Sequence, residues 1–141
     1  MNDGENTSIF TASEKGYLQS MRLGRLATVG PDGHPHVVPV AFRYNPDFDT
    51  IEIGGHDFAK RKKFRDMQHN PWVAFVVDDI SSINPWIVRG IEIRGEAIMV
   101  ETGGTGIVAN FSPEMIRIKP KRIINWGIEG DHSPANARSI P

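Results

Sequence analysis

Pro35 and Pro39 stand four residues apart in a run that otherwise wants to be a strand, Gly33-His34-Pro35-His36-Val37-Val38-Pro39-Val40-Ala41-Phe42. Both lack an N–H on the same lateral side, so that side has to be an edge, a bulge or an irregular ladder. The side chains constrain the segment further. His36, Val38, Val40 and Phe42 point one way and Val37, Pro39 and Ala41 the other, so neither face is made for water. One face can fill a core, and the other needs a ligand or a partner chain. Upstream, Arg25 to Val29 is a β-rich run, and Gly30-Pro31-Asp32-Gly33 is a turn in which proline presets φ and the second glycine tolerates φ > 0. The whole stretch from Gly24 to Phe42 therefore reads as a β-hairpin around which the rest of the chain is arranged.

A chain of 141 residues is most simply one domain. Its formal charge of -1 means that any charged partner is drawn by a local patch and not by the whole molecule. The absence of cysteine removes disulfides, thiolate nucleophiles and zinc–cysteine sites, and a cytoplasmic setting fits. No apolar run approaches the roughly 20 residues of a membrane span, and no signal peptide is visible. Asn6-Thr7-Ser8 matches a glycosylation acceptor by chance composition, since nothing indicates a secretory route.

Along the chain, residues 1–9 form a polar tail, and Thr11-Ala12-Ser13-Glu14 has the spacing of a capping box. A short helix follows with Tyr17, Leu18 and Met21 inward, and Gly24 is placed to end it in the left-handed conformation. After the hairpin come a turn at Asn45-Pro46-Asp47 and a strand from Thr50 to Ile53, with Ile51 and Ile53 on one face. Residues Ala59 to His69 read as a helix stopped by Asn70-Pro71, with Phe64 and Met67 inward. Trp72 to Val77 is a nearly continuous apolar strand, which suggests burial on both sides, and Asp78 to Pro85 reads as a loop. Trp86 to Glu101 is the longest strand pattern, with Gly90 and Gly95 as bulge or bend points. Thr102 to Phe111 is a loop with room for a short helix. Glu114 to Lys119 and Ile123 to Trp126 supply the last strand or two, and a polar tail follows. Five to seven strands, two short helices and no βαβ rhythm predict a mainly β protein, a closed antiparallel barrel with its helices outside.

Lys60-Arg61-Lys62-Lys63-Phe64-Arg65 puts five cations into six residues of a nearly neutral chain. A solvated helix face accounts for such a run, and so does capture of an anion. One phosphate needs one or two of these side chains; five suit a ligand with several negative charges. Nucleic-acid binding is disfavoured because no aromatic platform is interleaved with the cations. His34 and His36 alternate on one strand without a carboxylate to complete a metal ligand set, so no metal is expected. His56, His69 and His132 are scattered. No Gly-x-Ser-x-Gly elbow is present, which argues against a hydrolase, and no catalytic acid or base is identified. Trp86 and Trp126 read as core or interface aromatics.

Five segments in order carry a resemblance: Gly24-Arg25-Leu26-Ala27-Thr28-Val29, Gly33 to Val40, Lys62-Lys63-Phe64-Arg65-Asp66-Met67 leading into Asn70-Pro71-Trp72-Val73, Arg89-Gly90 to Arg94-Gly95-Glu96-Ala97, and Ile116 to Ile123 before Trp126. Together they resemble the split β-barrel flavin and deazaflavin oxidoreductases related to pyridoxamine 5′-phosphate oxidase (the PPOX class, or FMN-binding split barrel). More narrowly, they resemble the branch that uses the deazaflavin coenzyme F420. The resemblance covers residues 10–127 and leaves 1–9 and 128–141 as tails. It implies a homodimer with two cofactor sites along the interface. It also implies that His36, Val37, Val38, Pro39 and Val40 line the ring, and that Lys60, Arg61, Lys62, Lys63 and Arg65 hold the phosphate and tail. Trp126 would reach the ring from the partner subunit. The expected activity is hydride transfer between F420 and a small organic acceptor. An FMN-dependent oxidoreductase of the same class and a non-catalytic flavin- or F420-binding protein are the alternatives.

Overall fold

The computed structural model describes residues 8–141. Asn6 and Thr7, with the rest of the expected tail before Ser8, lie outside the described residues. The chain runs α1 (Ala12–Ser20), β1 (Leu23–Val29), β2 (Pro35–Asn45), β3 (Thr50–Gly54), α2 (Lys62–His69), β4 (Trp72–Ser82), β5 (Ile87–Val100), β6 (Met115–Trp126) and β7 (Asn136–Ser139). All pairings are antiparallel in the order β3-β2-β1-β4-β5-β6-β7, and β3 also pairs with β6. Six strands thus close on themselves, as the strand pattern predicts. Leu26, Ile51, Ile53, Phe75, Ile91, Ile93, Ile116, Ile118 and Ile123 fill the interior without solvent contact.

The closure is incomplete at one place. β1 accompanies β2 from Pro35 to Ala41, but β3 joins β2 only from Phe42 to Asn45. The first half of β2 therefore has a free lateral edge, which is what the spacing of Pro35 and Pro39 demands. On the far side, β6 splits one edge between two neighbours. Met115–Ile118 pair with β3 and Arg122–Asn125 with β7, so β7 covers what the barrel leaves open.

The capping box forms as expected. Thr11 Oγ1 accepts from the Glu14 N–H at 3.1 Å, and Glu14 Oε1 accepts from the Thr11 N–H at 2.9 Å. The helix nevertheless ends at Ser20 with an extended cap at Met21, and Gly24 lies inside β1. The Phe75 ring occupies the space a Cβ would take at Gly24, so glycine is there for packing and not for a left-handed cap.

Helix α2 begins at Lys62 and not at Ala59: Phe58–Lys60 form a separate 3-10 turn, and Arg61 between them is extended. Inside the helix Phe64 and Met67 are buried as their spacing predicts. The run Trp72–Val77 buries only Val73, Phe75 and Val77, while Ala74 and Val76 are half-exposed and Trp72 is exposed. Within one chain it has one wet face, which corrects the expectation of burial on both sides. β4 also continues to Ser82, where a loop was expected, because residues 78–82 pair along β5. Gly95 sits at the register shift between β5 and β6, where the Lys119 carbonyl fills the space of a Cβ. That bulge lets β6 run through Pro120 as one strand. The short helix in the Thr102–Phe111 loop is a 3-10 turn at Gly104–Gly106.

Candidate functional site

The free edge of β2 opens into a cleft of about 230 Å³ lined by Pro39, Val40, Ala41, Gly54, Gly55, His56, Arg61, Lys63 and Phe111. The pieces meet here for local reasons. β3 ends at Gly54, the chain turns under Phe58, and Arg61 leads into α2. A Cβ at Gly54 would stand 3.3 Å from both Ile107 and Phe111, so a small residue there lets the later loop close down on the strand end. Ser112 secures that loop: its hydroxyl donates to the Gly55 carbonyl at 2.8 Å and accepts from the Phe58 N–H at 3.0 Å.

Two cations open into the cleft. The Arg61 Nε donates to the His56 carbonyl at 2.9 Å, which fixes the guanidinium against the strand end. Lys63 stands 5.7 Å from the centre of the Phe58 ring. Burial lowers the Lys63 pKa, and the neighbouring Arg61 charge lowers it further. Among the described residues neither cation forms an ion pair within the chain. Two positive charges without a carboxylate partner, a partly buried Lys63 and an exposed Arg61, beside a flat apolar strand edge suit an anion attached to a planar group.

The remaining basic residues go elsewhere. Lys62 donates to both carboxylate oxygens of Asp66 and packs by Gly30 of the β1–β2 turn. Lys62 and Asp66 are four residues apart on one helix face, whereas Lys63 is rotated about 100° from Lys62 and faces the cleft. Lys60 and Arg65 are exposed and do not line it.

Of the strand residues, Pro39 and Val40 line the cleft. His36 is half-buried, and its Nε2 is shielded from solvent without a hydrogen-bond partner. Val38 is exposed. Val37 is 66% exposed on the outer sheet face.

Trp126 is distant from the cleft within one chain. It packs over Gly90, where a Cβ would stand 2.6 Å from its ring and 2.9 Å from the Asp78 Cβ. β6 is two strands from β2 by way of β3, but Trp126 lies eleven residues along β6 from Met115, the residue that pairs with Gly54 at the cleft, about 35 Å of extended strand.

His56, which the sequence leaves among scattered histidines, is a cleft residue. Its Nδ1 lies 3.1 Å from the Asn110 carbonyl, which can only accept, so Nδ1 carries the proton. The ring also stands edge-on to Phe111 at 5.1 Å. The signal for it is its position directly after Gly54-Gly55, where β3 ends.

The outer face of β2, β1, β4 and β5 holds two more concavities. One, of about 330 Å³, is lined by Ala27, Val29, Pro35, Trp72 and Ala74 among others. The second, of about 320 Å³, includes Ala27, Val37, Ala74 and Val76. Arg25 with Asp78 at 2.6 Å and Arg94 with Glu92 at 2.9 Å give this apolar patch a charged rim. A patch of this make-up suits burial against another protein surface.

Comparison with known proteins agrees with this architecture. Residues 10–127 match the family model described as pyridoxamine 5′-phosphate oxidase. The chain is 48% identical over 132 residues to a 5a,11a-dehydrotetracycline/5a,11a-dehydrooxytetracycline reductase of Streptomyces rimosus subsp. rimosus, covering 93% of each chain. Among solved structures, an FAD binding protein from Mycobacterium smegmatis is 23% identical with a TM-score of 0.61, the match covering 82% of this chain and 90% of that one. An F420 reductase is 24% identical with a TM-score of 0.58, over 77% of this chain and 94% of the other. Both structures share the split-barrel fold.

Proposed function

This chain belongs to the pyridoxamine 5′-phosphate oxidase family, and from that premise we propose that it is an F420-dependent reductase that works as a homodimer. The observation that carries this reading is the convergence of Arg61 and Lys63, both without carboxylate partners among the described residues, on the cleft beside Pro39 and Val40. Its donor set fits a planar ring on a polyanionic tail: an apolar strand edge for the ring, two cations at the cleft, and Lys60 and Arg65 exposed nearby for further negative charge. FMN ends in a single phosphate, so it would leave part of this positive charge unused. The relative that is 48% identical is named as a reductase of a dehydro compound, which supports an oxidoreductase and a fused, conjugated acceptor.

When bound, reduced F420 supplies a hydride to the acceptor. The chain's own part is positioning. Arg61 and Lys63 neutralise the anionic tail, and Lys63 regains basicity as its lost solvation is replaced by an anion. The Pro39–Ala41 edge, with no donors at Pro35 and Pro39 to recruit another strand, keeps space for the ring. The apolar outer face around Val37, Ala27 and Val76 is covered by the second subunit, and this brings Trp126 of that subunit to a ring it cannot reach in its own chain.

FMN is the second reading, favoured by the family's description and by the FAD-binding neighbour. Titration with F420 and with FMN, followed by tryptophan fluorescence and absorbance, separates the two. Turnover is then measured with reduced F420 and 5a,11a-dehydrotetracycline, alongside quinones and other enones. Tight F420 binding with acceptor-dependent oxidation is the expected result. Binding of flavin alone overturns the cofactor assignment, and F420 binding without any acceptor-dependent oxidation leaves a carrier and not an enzyme.

A further inference from the structure

Glu52 points outward from the barrel and yet has no solvent contact. Its neighbours Ile51 and Ile53 fill the interior, so by the two-residue period Glu52 lies on the outer face of β3, together with the cleft residue Gly54. Arg43 of β2 and Arg117 of β6 stand in register with it on either side. Arg43 Nε donates to one carboxylate oxygen at 2.6 Å, and Arg117 Nε and the Asn45 amide donate to the other at 2.8 and 2.9 Å. None of these groups takes part in the chemistry proposed above. A buried carboxylate with two guanidinium partners adds little net stability, because desolvation offsets much of the attraction, but it holds its planar donors in one orientation.

Arg43 is held against something. Its guanidinium lies on Gly106, where a Cβ would stand 2.4 Å from Arg43 Nη1 and 3.2 Å from Cζ. An arginine tip ordinarily swings away from such a contact, but this one is tethered through Nε to Glu52, and its plane moves as a unit. The loop that carries Gly106 is a unit as well. Its ends meet where the Gly104 N–H donates to the Pro113 carbonyl at 2.8 Å, and its foot is bonded where the Ser112 N–H donates to the Gly55 carbonyl at 3.1 Å.

The same loop forms one wall of the cleft. Phe111 lines it, Ile107 and Phe111 stand over Gly54, and the Asn110 carbonyl accepts from His56 Nδ1. That bond leaves Nε2 as the acceptor His56 offers the cleft, with no partner for it among the described residues.

We propose that Arg43 is a positioning residue for the cleft: buried Glu52 sets its guanidinium as a stop against Gly106, the stop sets the 104–112 loop, and the loop sets the Phe111 wall and the tautomer of His56. The consequence for F420 rests on the function proposed above. The position of the loop does not.

Three variants test the stop. Gly106→Ala pushes the loop off Arg43, Arg43→Ala removes the stop while leaving Glu52 with Arg117 and Asn45, and the double variant combines them. Amide hydrogen exchange is read on ligand-free protein. The Ile107, Phe111 and Ser112 N–H groups, bonded within the loop or at its foot, should exchange about fivefold or more faster in each single variant, with β3 and β5 at wild-type rates. The double variant should exchange no faster than Arg43→Ala alone, since the added methyl then meets no side chain. Multiplying effects of the two substitutions overturn the contact, and wild-type exchange in both single variants overturns the stop.

The His56 ring nitrogens, read by long-range nitrogen–proton NMR at mildly alkaline pH, give a signal that a loss of stability alone would not move. The Nδ1–H form should predominate in the wild type and give way to a mixture in both single variants. An unchanged tautomer refutes the link from loop to His56. The F420 dissociation constant of Gly106→Ala should rise about fivefold or more with its salt dependence kept, because Arg61 and Lys63 remain. Wild-type affinity in a variant whose loop exchanges fast overturns the loop's part in binding. If Arg43→Ala does not fold, Arg43→Lys replaces it, keeping a cation for Glu52 but no planar group to lie on Gly106. A wild-type protein that binds neither F420 nor FMN counts against the proposed function, and the exchange and tautomer measurements, made without ligand, decide the role of Arg43.

Discussion

Lys62 Nζ lies 3.1 and 3.0 Å from the two carboxylate oxygens of Asp66, a residue with almost no solvent contact. One cation of the basic cluster is thereby committed to a pair within α2 that packs by Gly30 of the β1–β2 turn. Lys62→Met should cost about 1–2 kcal/mol of stability in urea titration, since Lys62 itself is half-exposed while the carboxylate left behind is buried. The F420 dissociation constant should stay within about twofold.

Lys63→Ala and Arg61→Ala should behave in the opposite way. Each removes an unpaired cation from the cleft, so F420 affinity should fall by about tenfold or more with little change in urea midpoint. The loss should shrink as salt is added, because screening already weakens the wild-type attraction. Isothermal titration at two ionic strengths reads both effects.

Val37→Asp places a charge in the middle of the apolar outer face, where Val37 is 66% exposed in the single chain. An unpaired buried charge at an interface is strongly unfavourable. Light scattering should find a monomer. F420 binding should weaken with it, because in the proposed dimer Trp126 of the partner subunit completes the site.

Glu14 is enclosed and bound by Asn125 at 2.7 Å and by Arg138 at 2.5 and 2.9 Å. Burial pushes its pKa up, but the hydrogen bonds from Arg138, Asn125 and the Thr11 N–H outweigh it, and the net shift is downward from 4.5. Glu52 follows the same pattern through Arg117, Asn45 and Arg43. Carboxyls with a folded pKa below the unfolded one stabilise above the unfolded value, and that contribution is lost as pH falls through the folded value. Stability should therefore decline below about pH 4.5. Arg138→Ala should lower stability at neutral pH by about 3 kcal/mol and flatten the acid limb, as read by urea melts across pH.

Gly90→Ala should disturb Trp126 without touching the cleft. The added methyl would stand 2.6 Å from the indole and 2.9 Å from Asp78, a clash costing about 1–3 kcal/mol. Tryptophan emission should shift in the free protein. Binding of F420 should weaken only in the dimer.

Much of the barrel was legible in the sequence because its causes are local. Period-two alternation set the inward faces of β3 and β5, the Thr11–Glu14 spacing set the start of α1, and the prolines of β2 marked the edge that became the cleft. Gly24 and the Asp78–Ser82 segment were misread for the same reason. A glycine beside a helix resembles a cap, and a polar stretch after an apolar run resembles a loop, until Phe75 and β5 are seen to lie against them.

Charge clustering in sequence said that cations were abundant. Only tertiary structure decided which were free. One residue's rotation about α2 sends Lys62 to Asp66 and Lys63 to the cleft, and a helix places neighbours on different faces however alike they are. The same holds for Arg138, which finds Glu14 across 124 positions, and for Trp126, which sits at the far end of β6 from the residue that pairs with Gly54 at the cleft. Alternation and turn chemistry act over a few residues and can be read along a line, whereas pairing of distant charges and the reach of an aromatic depend on how the sheet closes.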